Sequence, residues 1–177
     1  MGQIAYLQRW NALHETIARM QGAGSVEGAI EVVRETARHV TGAEGVTVIR
    51  RIGDEVAYIA EDAISPLWTG QQFPIERCIS GLAILHNRPI VIPDIEHDAR
   101  VPLNLYLSTF VRSMAMFPVG TPIPSAAIGA YWRSRHDIDG RSIMLLSALA
   151  RALGTVLDIL PATARARTEP PELRRAG

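Results

Sequence analysis

The chain has no lysine: all 18 of its Lys+Arg cations are arginine. A lysine Schiff base and a Walker-type phosphate-binding lysine are thereby excluded. It has a single cysteine, Cys78, so it cannot close a disulfide within itself, and one free thiol fits a reducing, cytosolic compartment. It also lacks a charge excess: 18 basic residues face 18 acidic ones, for a formal net charge of +0. Nucleic-acid binders carry a basic excess that is missing here. No uninterrupted apolar run reaches the ~18 residues of a membrane span. Met1-Gly2-Gln3 lacks the basic stretch that opens a signal peptide. At 177 residues this leaves one globular domain with a short appendage, expected in the cytosol, with neither nucleic acid nor membrane as partner.

Periodicity then places the elements. Tyr6, Trp10, Leu13, Ile17 and Met20 recur at spacings of three and four and predict a helix over 1–22. Ser25 is a good N-cap for a second helix, whose stripe is Val26, Ile30, Val33, Ala37 and Val40. β-Branched runs at 46–52 and 56–59 flank Gly53-Asp54, a two-residue hairpin signal, so these strands are antiparallel and a Rossmann-type sheet is excluded. Pro66, Gly70, Pro74, Gly81 and Pro89 punctuate an irregular middle, with a short helix predicted over 80–86 and a strand at 90–92. Asp98 is read as the cap of a further short helix around 103–110. Strands at 113–119 and 126–132 follow, then a helix over 137–160 with the stripe Leu146, Leu149, Leu153, Val156 and Leu160. The segment 161–177 has no apolar period and is expected to be a disordered tail. The class is α+β.

The middle block carries a resemblance. It runs through Gly42-Ala43-Glu44-Gly45, Glu61-Asp62-Ala63-Ile64-Ser65-Pro66-Leu67-Trp68-Thr69-Gly70, Phe73-Pro74-Ile75 and Cys78-Ile79-Ser80-Gly81. It continues with Ile92-Pro93-Asp94-Ile95, Asp98-Ala99-Arg100-Val101-Pro102, Thr109 to Met116 and Ile128-Gly129-Ala130-Tyr131-Trp132. Residues 1–160 resemble a GAF domain, and within that family the N-terminal GAF sensor of bacterial HWE-type (GAF/PAS) sensor histidine kinases. The resemblance implies a central antiparallel sheet with terminal helices on one face and short helices and loops covering the other. It also implies a signal-sensing role in a two-component system. One departure stands out: Leu82-Ala83-Ile84 follows Cys-Ile-Ser-Gly where the subgroup has Trp-Ala-Met.

A GAF pocket lies between sheet and cover, which points to Trp68, Phe73, Tyr106 and Phe110 as walls. Arg77, Cys78, Ser80, Asp94, Arg100 and Arg112 are the polar candidates, with Arg112 able to fork onto Asp94 or Asp98. The ligand is an unidentified small molecule, and no cofactor or metal is required. Asp94, Glu96 and Asp98 lack the glycine and the bidentate glutamate of a calcium loop. No Gly-rich ATP lid follows residue 132, so the chain is read as a non-enzymatic module rather than a kinase. The alternative is a GAF-fold redox enzyme or bilin chromoprotein using Cys78, or a haem protein using His86 or His97.

Assembly is the last expectation. The two terminal helices both carry heptad-like stripes, and the last carries more apolar surface than one face needs. A homodimer is expected through Trp10, Leu13, Ile17, Leu146, Leu149, Leu153 and Val156, with a histidine kinase or another signalling output as further partner.

Overall fold

The computed structural model describes the backbone of residues 2–168 and the side chains of residues 2–160. Two helices open the chain, α1 (Gln3–Gly22) and α2 (Val26–Thr41). Ser25 caps α2 by accepting a hydrogen bond from the Gly28 amide, and Gly42 closes it in the left-handed conformation (φ +70°) that glycine adopts without strain. The strands are β1 (Gly45–Ile52), β2 (Glu55–Ala63), β3 (Gln72–Pro74), β4 (Ile90–Ile92), β5 (Ser113–Val119) and β6 (Ala126–Trp132). They form one antiparallel sheet in the order β3-β2-β1-β6-β5-β4. Helix α3 (Ile79–His86) lies between β3 and β4, and α4 (Gly140–Thr168) ends the described chain.

The sheet separates two cores. Val46, Val48, Ala115, Phe117, Ile128 and Ala130 face α2 and α4, while Ile49, Tyr58, Met114, Met116, Ala127 and Tyr131 face the cover formed by residues 64–110. One β-bulge makes the division work in β2. Val48 pairs with Ala60 but Ile49 with Tyr58, so Ile59 is the extra residue, and Tyr58 and Ala60 turn to opposite layers although they are two apart. The expected α+β architecture, with terminal helices on one face and a cover on the other, is the one observed.

Several boundaries differ from the expectations. β3 was not foreseen: it is three residues long and ends in Pro74 at the sheet edge, where the missing amide costs no ladder bond. The helix around 103–110 is a single 3-10 turn, Leu103–Leu105, and the Asp98 carboxylate holds the Arg100 amide and guanidinium instead of capping it. The last helix begins at Gly140, capped by the Asp139 carboxylate on the Arg141 and Ser142 amides. It runs through Pro161 to Thr168, past the expected end at residue 160, and the rest of the expected tail, 169–177, lies outside the described residues.

Gly140–Leu160 is long and apolar enough to cross a membrane by length and composition, a property hidden in the sequence by Arg141, Arg151 and Asp158. Its leucines face inward, however. Leu146, Leu149, Leu153 and Val156 pack with α2, the sheet and α1, and Leu13 of α1 is equally enclosed. These five residues are therefore not available to a second copy, contrary to the expected dimer interface. α1 lies across α2 and α4 as a further layer and covers part of the apolar surface of α4. Trp10 and Ile17 remain half-buried at its flanks, and among the described side chains the exposed large apolar residues on the two terminal helices are Ile4, Leu7, Met144 and Ile159.

Candidate functional site

Beneath the cover the sheet carries a cluster of aromatic rings. Trp68 stands at its centre, edge-on to Tyr58, Tyr106 and Tyr131 with ring centroids 5.5, 4.9 and 5.5 Å away. Phe73 meets Tyr58 at 5.6 Å and 90°. Tyr131 lies flat enough over β6 that its hydroxyl would stand 2.4 Å from a Cβ at position 129, which is why glycine occupies that strand position. The space expected to hold a ligand is thus filled by the chain's own side chains. Trp68, Cys78, Ser80 and Tyr106 are enclosed in it, with Trp68 only 5% exposed.

A string of polar groups threads this apolar core. The Thr47 and Tyr131 hydroxyls lie 2.9 Å apart, and the Tyr58 and Ser80 hydroxyls lie 3.3 Å apart. Ser80 in turn donates to the Cys78 sulfur at 3.3 Å. Each of these buried hydroxyls has a partner, which offsets the cost of placing it out of water. Burial pushes the Tyr58, Tyr106 and Tyr131 phenols and the Cys78 thiol above their ordinary pKa ranges, so all four are protonated at neutral pH.

The loop carrying Trp68 is held from below by Glu61. One Glu61 oxygen accepts from the Leu67 amide at 3.0 Å, and the other from the Trp68 and Thr69 amides at 3.0 and 2.8 Å. Partial burial alone would raise the Glu61 pKa, but these hydrogen bonds from residues 67–69 outweigh it and hold the carboxyl below its ordinary value. The Trp68 indole N–H completes the attachment by donating to the Leu105 carbonyl at 3.3 Å. On the other side α3 presses so closely on the turn before it that a Cβ at Gly81 would fall 1.7 Å from the Ile75 carbonyl oxygen.

The remaining sequence candidates lie elsewhere. Phe73, Arg77 and Arg100 line an open groove of about 510 Å³ outside the cover, together with Val101, Asn104 and Leu105. Arg100 is committed there to Asp98. Phe110 packs on Gly45, where a Cβ would stand 2.8 Å from its ring. Asp94 caps the turn at 95–97 and binds His97 at 2.7 Å and Arg135 at 3.5 Å. Arg112 reaches neither Asp94 nor Asp98: its guanidinium donates to the Val111 and Thr109 carbonyls at 2.7 and 3.3 Å. His97 and His86 are exposed and stand outside the cluster, against a role as a haem ligand within it. Among the described residues no group of His, Cys, Asp and Glu is placed to hold a metal ion. Sequence reasoning missed Thr47, Tyr58, Glu61 and Tyr131. The only signal for them was parity along β1, β2 and β6, and it was scrambled in β2 by the bulge at Ile59.

No protein-family model matches the chain, and no curated protein matches its sequence. Solved structures do match its fold. The GAF domain of a phosphoenolpyruvate-protein phosphotransferase from Coxiella burnetii superposes with a TM-score of 0.79 at 13% identity, covering 90% of this chain and 98% of that one. The corresponding domain from Acinetobacter gives 0.74 at 11% identity, over 93% and 99%. The free methionine-R-sulfoxide reductase of Neisseria meningitidis gives 0.78 at 14% identity, over 92% and 95%. The fold is that of GAF domains.

Proposed function

We propose that this chain is a non-enzymatic sensory module of the GAF type, similar to those N-terminal to bacterial HWE-type histidine kinases, in which the state of the covered face is relayed to an output through the terminal helices. The observation that carries this reading is the covered face itself. It is fully packed, its polar groups are mutually satisfied, and the one thiol is protonated and enclosed. Such a site changes state by rearranging its cover, and a ligand shifts that balance only by preferring one arrangement. Both phosphotransferase structures are GAF domains of larger proteins, which supports a modular role. A cytosolic location fits the single free thiol.

The likeness to the reductase favours a second reading, a thiol enzyme using Cys78. Its chemistry runs against that reading, because nucleophilic cysteines are exposed and have lowered pKa values, whereas Cys78 is 3% exposed with a raised one. Thiol labelling decides between them. In native protein at pH 8, Cys78 should react with Ellman's reagent about 100-fold more slowly than in denatured protein, since reaction requires opening of the cover. Labelling at the denatured rate would overturn the enclosed thiol, and turnover of free methionine sulfoxide would establish the enzyme instead.

The module acts as a homodimer in this proposal, through the exposed Ile4, Leu7 and Met144 rather than the inward leucines. Light scattering after size exclusion should give about twice 19.4 kDa at micromolar concentration, and Leu7→Glu combined with Met144→Glu should return it to 19.4 kDa. A monomer that persists at tenfold higher concentration would rule the dimer out.

A further inference from the structure

On the edge of the molecule away from the covered face, α4 runs over the β5–β6 turn and leaves a cavity of about 360 Å³, within the range of small-molecule sites. Its depth comes from one close approach. A Cβ at Gly154 would stand 2.9 Å from the Gly120 amide nitrogen, so the helix meets the turn backbone directly and no side chain fills the notch. The far wall is fixed, because Asn87 after α3 donates to the Pro122 carbonyl of that turn at 3.2 Å.

The lining has a consistent chemistry. Ser147, Arg151 and Thr155 recur every four residues along α4 and line the cavity, with the Thr155 hydroxyl donated back to the Arg151 carbonyl at 3.2 Å. Opposite them Phe117, Pro118 and Pro89 supply an apolar wall. No carboxylate lines the cavity, and Arg151 forms no ion pair among the described residues, whereas Arg19, Arg34, Arg38, Arg100, Arg133 and Arg135 all do. A guanidinium without an ion pair, beside the Ser147 hydroxyl in a partly apolar notch, suits one kind of guest: an oxyanion that takes the charge-assisted hydrogen bonds, attached to a body that covers the apolar wall. We propose that this groove binds a small organic oxyanion, a phosphate or carboxylate on an apolar body. The guest touches α4 and both turns at once, so its binding energy holds α4 against the sheet edge. The inference is independent of the covered-face reading, since it shares no residue with that site.

The test is amide chemical-shift titration of the full ¹⁵N-labelled chain with phenyl phosphate and with benzoate, each to about 20 mM, and with benzyl alcohol as the neutral control. At least one anion should shift the Gly120, Ser147, Arg151 and Gly154 amides saturably. A response to only one of them identifies the headgroup. Arg151→Gln should weaken that binding about tenfold or more. Ser147→Phe, which fills the notch but keeps the charge, should weaken it as much, while the rest of both spectra reports an intact fold. Absence of saturable shifts with either anion, equal affinity in Arg151→Gln, or equal affinity for benzyl alcohol would overturn the proposal.

Discussion

Arg9→Ala should destabilise the fold by about 3–5 kcal/mol, the loss expected when one partner of a buried charged network is removed. Arg9 sits on α1 yet is 7% exposed, and its guanidinium works on three helices at once. It donates from Nε to the Val40 carbonyl at 2.8 Å, and from Nη2 to the Thr41 carbonyl and to the Ser142 hydroxyl, the last at 2.9 Å. Val40 and Thr41 close α2, where carbonyls lack helical partners and the dipole favours a cation. Ser142 passes the contact on to the Asp139 carboxylate at 2.7 Å, the group that caps α4. Burial lowers the Arg9 pKa from its ordinary value and the Asp139 charge opposes that, but the group stays a cation. Alanine would orphan two buried carbonyls and uncouple α1 from both neighbours. Arg9→Lys should recover less than half of the loss, because one ammonium cannot reproduce a planar fork aimed at three acceptors. For a domain of this length, thermal unfolding should shift by about 10 °C or more. An alanine variant within about 1 kcal/mol of the parent in urea unfolding would show that the junction does not bind the helices together.

Arg9 also marks the limit of what the sequence discloses. The strands at 46–52, 113–119 and 126–132 were legible because β-branched and apolar residues alternate there under turn signals, and α2 because its cap and period agree. For α1 the apolar stripe Tyr6-Trp10-Leu13-Ile17-Met20 predicted the buried face, yet the enclosed residues are Arg9, Leu13, Thr16 and Met20. An arginine reads as surface until its acceptors are known, and those lie more than 30 residues away on another helix. The same limit applies to the leucines of α4, which could be allotted to a partner or to α1 only once the layering was seen. At the covered face Trp68, Cys78, Ser80 and Tyr106 are enclosed together, whereas Arg77, Arg100, Asp94 and Arg112 lie elsewhere. Whether Trp68 and Tyr106 wall a cavity or fill it is a question of summed volume, which spacing along the chain does not carry.

Trp68→Ala addresses that question directly, and its expected cost is again about 3–5 kcal/mol, the range for deleting a buried tryptophan. The indole touches three tyrosine rings and holds Leu105 of the cover, so its loss removes ring contacts from both sides of the site. The Glu61 clamp on residues 67–69 survives the substitution, because it binds backbone amides rather than the indole. The loop therefore stays in place and leaves a cavity of indole shape beneath it, in which the Tyr58, Tyr106 and Tyr131 rings face empty space. Packing around such a hole relaxes only in part, so the hole persists and accepts a guest of the deleted shape. Millimolar indole should raise the melting temperature of Trp68→Ala and leave that of the parent unchanged, by the mass-action gain of about 2.7 kcal/mol when the guest stands at a hundred times its Kd. The parent is insensitive because its own tryptophan already occupies the place. If Trp68→Ala melts within about 2 °C of the parent, the cluster does not organise the cover. If indole stabilises both proteins equally, the site beneath the cover is open in the parent, and the packed covered face on which the sensory reading rests is wrong.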